Sequence, residues 1–98
     1  MTVDINKHYT KVANLLTREI EGELIIIPLH SGIGNLDSEV FSLNSTGMLL
    51  WEKLDGQNSL KNIINAMIDE FDSNPRQIKN DILELIEQLI RKKLIITK

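Results

Sequence analysis

The sequence predicts an α+β fold of winged-helix type, a three-stranded antiparallel sheet followed by three helices. Three observations carry that prediction. Residues 15–29 alternate and then run apolar around a Glu21-Gly22 pair, as the two arms of a hairpin do. Residues 44–93 hold three stretches with apolar side chains at helical spacing, each opened by Asn or Ser. The principal strand signals all precede the helix signals, which separates the sheet from the helices instead of interleaving them as a parallel α/β sheet requires.

The elements follow in order. Residues 1–14 mix charge, polar groups and scattered apolar side chains without periodicity, and read as an amino-terminal arm ahead of a domain spanning residues 15–98. In the first strand Leu16, Arg18 and Ile20 alternate with Leu15, Thr17 and Glu19; the Gly-containing pair then turns the chain into Leu24-Ile25-Ile26-Ile27. Pro28, which has no N–H to donate, puts the end of this second strand at a sheet margin. Leu24 and Ile26 share one face, and Ile25, Ile27 and Leu29 the other. Only one face of a small sheet meets the helices, so the second needs a cover: the arm through Tyr9, Val12 and Leu15, a second subunit, or a partner. Residues 30–37 are rich in turn formers and read as a loop. Residues 38–42 form the third strand, short and polar at its ends as an edge strand should be, with Val40 and Phe41 pointing to opposite faces.

In the first helix Gly47, Leu50, Trp51 and Leu54 fall on one face, with Asn44 or Ser45 as N-cap and Gly56 as the stop. Ser59 caps the second, whose stripe is Leu60, Ile63, Ile64, Met67, Ile68 and Phe71. Asn74, Pro75 and Gln77 open the third in a variant of the capping box. Ile78, Ile82, Leu85, Ile86 and Leu89 form its main stripe, and Arg91, Lys92 and Lys93 complement the dipole at its carboxyl end. Leu83 and Ile90 fall outside that stripe, two turns apart on one flank with Lys79. Either the helix is buried more broadly or this strip borders a groove. Residues 94–97 add a short terminal strand.

Bulk properties exclude several functions. Ninety-eight residues make one domain, and 42% hydrophobic with 26% charged residues is the composition of a folded soluble chain. A net charge of −3 lacks the basic balance of a nucleic-acid binder. There is no cysteine, so disulfides and thiolate metal sites are excluded. His8 and His30 are too far apart to form a local ligand motif. The longest apolar run, residues 24–29, cannot span a bilayer and no signal-peptide pattern opens the chain, so a cytoplasmic protein without membrane contact is expected. The carboxylates Asp69, Glu70, Asp72, Asp81, Glu84 and Glu87 read as solvated helix faces. No nucleophile–base set or phosphate-cradling loop exists, so neither an enzyme nor a cofactor is expected. Trp51, between Leu50 and Leu54, reads as a core anchor before it reads as a stacking platform for a ligand.

The residues Leu43-Asn44, Trp51 and Leu54-Asp55-Gly56 stand in a context of preceding strands and following helices. In that setting they resemble the signature of the PqqD-like family, the peptide-binding domains also called RiPP recognition elements. The resemblance runs from about residue 17 to 96 and leaves the arm without a role. It implies a cleft between the open edge of the third strand (Ser38, Glu39, Val40, Phe41 and Ser42) and the last helix, residues 75–93. On the helix side the flank strip read from spacing is the preferred wall, and Lys79, Leu83, Ile86 and Ile90 are expected there. There the leader segment of a ribosomally made precursor peptide adds as an extra strand and is presented to a modifying enzyme, often a radical-SAM maturase, in pyrroloquinoline quinone (PQQ) synthesis or another peptide pathway. Two alternatives share the architecture. One is a winged-helix DNA-binding module, whose recognition helix would here turn Asp81, Glu84 and Glu87 toward phosphates. The other is a homodimeric protein–protein adaptor using the doubly apolar hairpin.

Overall fold

The computed structural model describes residues 3–29, 40–71 and 74–98. Among them the order is β1 (His8–Lys11), β2 (Leu15–Ile20), β3 (Glu23–Pro28), β4 (Phe41–Leu43), α1 (Ser45–Lys53), β5 (Asp55–Ser59), α2 (Leu60–Glu70), α3 (Pro75–Arg91) and β6 (Ile95–Thr97). The expected sheet of three antiparallel strands is present in the order β2-β3-β4. A second antiparallel sheet, β5-β1-β6, accompanies it.

The hairpin follows from its turn. Glu21 and Gly22 both have positive φ, 51° and 82°, the condition for a two-residue turn whose twist matches the flanking strands. Pairing then runs in unbroken register from Ile20↔Glu23 to Leu15↔Pro28. On β3, Leu24 and Ile26 are buried against the helices while Ile25 and Ile27 are half-buried on the opposite face. On that outer side Leu16, Ile20, Leu29 and Val40 remain exposed. Tyr9, expected among the residues covering them, is instead only 2% exposed in the core.

The amino-terminal segment is the main departure from expectation. His8–Lys11 is the central strand of the second sheet, hydrogen-bonded to β5 on one side and β6 on the other. Its register shows why β5 was hidden inside a helix stop: two residues of β1 span four of β5 (His8↔Ser59, Thr10↔Asp55), and Gly56 at φ 78° lies in that irregularity. Gly56 is therefore a strand bulge residue, and α1 ends two residues earlier at its C-cap Leu54. The His8 ring donates from Nδ1 to the Gly56 carbonyl at 3.1 Å, which places a proton on that nitrogen. Tyr9 Oη accepts from the Asp4 N–H at 3.0 Å.

The helix starts follow local chemistry. Asn44 accepts from Gly47 N, Ser59 from Asn62 N, and Asn74 from Arg76 N and Gln77 N. The Gln77 amide turns forward to Asp81 at 2.9 Å instead of closing a reciprocal capping box. Two more orphan donors of α2 are satisfied by the amino-terminal segment, Leu60 N–H to Lys7 and Lys61 N–H to Ile5. The helices bury Leu50, Trp51, Leu60, Ile64, Met67, Ile82, Ile86 and Leu89 in one core with Leu24, Ile26 and Tyr9. Trp51 is a core residue at 5% exposure, with Lys11 Nζ 5.6 Å from its ring centroid. Among the described residues no helix is long and apolar enough to cross a membrane.

Candidate functional site

β4 closes the β2-β3-β4 sheet. It pairs with β3 on one side, and its other edge has no strand partner among the described residues. Its backbone N–H and C=O groups on that edge are a template for a further strand. Alongside lies a cavity of about 460 Å³, walled by Phe41, Ser42, Leu43 and Asn44, by Thr46, Gly47 and Leu50 of α1, by Met67 and Phe71 at the end of α2, and by Gln77, Ile78, Asp81, Ile82, Glu84, Leu85 and Gln88 of α3. That size falls within the roughly 300–1,000 Å³ of ligand sites.

The local sequence builds this corner. Register sets Phe41 opposite Ile26 and Leu43 opposite Leu24, so both share the helix-facing side of the sheet. Asn44 follows β4 directly and is already the N-cap of α1, so the chain turns from strand to helix without a loop. One turn on, Gly47 sits where a Cβ would stand 3.1 Å from Leu43 Cβ and 3.4 Å from Leu85 Cδ2. The missing side chain lets β4, α1 and α3 close together at the base of the groove. Asn44, one of the two residues expected as N-cap, and Gly47, expected on the helix face, thus have a second use in shaping it.

The α3 wall is graded. Ile78 and Ile82 are buried, Leu85 is half-buried, and Asp81 and Glu84 are exposed at the rim. None of the described residues lining the cavity is basic. Among the described residues the side-chain ion pairs are Lys53–Glu70 and Arg91–Glu87, neither of which involves the rim carboxylates. No group of described residues is arranged to hold a metal ion. What the arrangement offers is an open backbone edge beside a greasy slot, suited to an extended chain.

Of the residues expected at a groove, Phe41 and Ser42 line this one. Val40 is exposed immediately before β4; Ser38 and Glu39 lie outside the described residues. Lys79, Leu83, Ile86 and Ile90 do not line the cavity. At roughly 100° per residue they sit about 100–160° around α3 from Leu85, on its far flank. Ile86 is wholly buried, Leu83 and Ile90 are half-buried against the core, and Lys79 is exposed. The lining residues on α3 are the near flank of the main stripe, Ile78, Ile82 and Leu85, with Asp81 and Gln88 beside them. Periodicity flags that stripe as apolar but carries no sign of which flank stays open.

Fold and open edge together define a winged-helix-like α+β domain with a free strand edge beside a groove. The family model for coenzyme PQQ synthesis protein D (PqqD) matches residues 23–95, and the chain belongs to that family. No curated protein gives a significant match. Among solved structures, the fold is similar to that of TbiB1 in complex with the TbiA(beta) leader peptide, with a TM-score of 0.68 and 17% identity over 88% of this chain and 93% of that one.

Proposed function

We propose that this chain is a non-catalytic peptide-binding domain that captures the leader segment of a ribosomally made precursor by strand addition to β4 and presents it to a modifying enzyme, a radical-SAM maturase being the fitting class. The observation that carries this reading is the unpaired β4 edge directly beside the cavity. Membership of the PqqD family supports it, as does the likeness to a fold solved with a leader peptide. Precursor and domain would meet in the cytoplasm, and PQQ synthesis is the pathway in the family's name.

The energetics require both parts of the site. Each added backbone hydrogen bond contributes about 0.5–1.5 kcal/mol net, whereas ordering each peptide residue costs about 1–2 kcal/mol. Pairing alone therefore comes out near zero. A micromolar complex needs about −8 kcal/mol, so apolar anchors contributing about 1.5–3 kcal/mol each must fill the slot. In this reading the strand edge sets direction and register, and the slot sets sequence choice.

The exposed outer face of the same sheet, with Leu16, Ile20, Leu29 and Val40, is the surface this reading gives to the modifying enzyme or to a second copy of the chain. Light scattering on the isolated protein separates the two. The proposal itself is tested by amide hydrogen exchange with and without the precursor's leader peptide. Protection should appear at Phe41–Leu43, and unchanged exchange there in a saturated complex would refute strand addition.

A further inference from the structure

The walls of the groove also specify its occupant, on the reading that β4 accepts a strand. We infer that the captured segment is a basic-apolar peptide, with an apolar side chain at one groove-facing position and a lysine or arginine at the next. A strand laid along β4 continues the pleat, so its side chains alternate between the groove face shared with Phe41 and Leu43 and the outer face shared with Ser42. Groove-facing side chains are then every second residue, about 6.8 Å apart.

The surface they meet changes character over such a distance. Leu50, Ile78 and Ile82 form an apolar floor, and Asp81 and Glu84, one helical turn apart, stand exposed at the rim. Asp81 accepts a hydrogen bond only from the neutral Gln77 amide, and neither carboxylate is in a salt bridge among the described residues. With no cation among the described residues of the lining, the rim presents negative charge over an apolar slot. A lysine or arginine suits that gradient, since its aliphatic stem lies over Leu85 while its charged head reaches the carboxylates. A peptide acid in the same place meets like charge.

The test is selection of a displayed random decapeptide library on the full chain, followed by anisotropy titration of the enriched peptides. The titrations compare the wild type, Leu85→Asp, and the double variant Asp81→Lys/Glu84→Lys, whose changes are at exposed positions and whose melting temperature should stay near wild type. Enriched peptides should carry the apolar-x-basic pattern. Replacing the basic residue by glutamate should weaken binding about tenfold at low salt, the double variant should reverse that preference, and the gap should narrow as salt rises. Peptides that lose binding with Leu85→Asp yet show no basic preference, or bind the double variant unchanged, would overturn this inference and leave the groove reading standing. If no enriched peptide depends on Leu85 or protects β4 amides, the groove reading fails and this inference goes with it.

Discussion

At the residue scale, two glycines do different work. Gly56 holds φ 78° inside a strand bulge, where an added Cβ would also approach Lys98 Cδ within 2.6 Å. The lysine tail can move aside, but the left-handed backbone cannot be relieved, so Gly56→Ala should cost about 1–2 kcal/mol in urea unfolding. Gly47 has ordinary helical φ and is limited by space: its neighbours Leu43 and Leu85 belong to the groove. Gly47→Val should cost about 1–3 kcal/mol through overpacking and lower peptide affinity together with stability. Trp51, by contrast, is buried away from the cavity lining. Trp51→Ala should destabilise by about 3–5 kcal/mol, read as a shift in the urea midpoint.

At the element scale, α3 is the decisive helix because its flanks have different fates. Leu85 faces the cavity while Leu83 and Ile90 face away from it. Leu85→Asp should therefore weaken peptide binding at least as strongly as any change at the strand, and Leu83→Asp should leave it within a few-fold of wild type. Titration of one selected peptide against both variants decides between the flanks, and the opposite ranking would return the groove to the Leu83–Ile90 strip. The helix starts were legible to within a residue: Ser59 and Asn74 cap as expected, and of the pair Asn44 or Ser45 it is Asn44 that caps α1, because a cap is a contact between near neighbours in sequence. So was the hairpin, whose register is set by two turn residues. β5 was not legible, since Asp55–Ser59 has neither apolar alternation nor β-branched residues and is a strand only through its pairing with β1.

At the scale of the whole molecule, the two ends of the chain are joined. β1 pairs with β6, the Lys98 N–H donates to His8, and Leu94 and Ile95 are buried at 1% and 2% exposure. Removing residues 94–98 forfeits those two side chains, about 1.5–3 kcal/mol each, and strips β1 of a neighbour. Against a typical total of about 5–15 kcal/mol, the truncated chain should unfold at markedly lower urea, with β1 amides losing exchange protection.

The sequence by itself determined the order and type of the hairpin and helices, the caps, the core stripe and the family, because each rests on contacts within a few residues or on a motif contiguous in the chain. Only the tertiary structure decided that the amino-terminal segment is a central strand and that the groove opens on the Ile78–Leu85 flank of α3. Both depend on which distant segment lies alongside. A four-residue strand with one buried tyrosine, and a helix apolar on more than one side, look the same in sequence whatever neighbour the fold supplies.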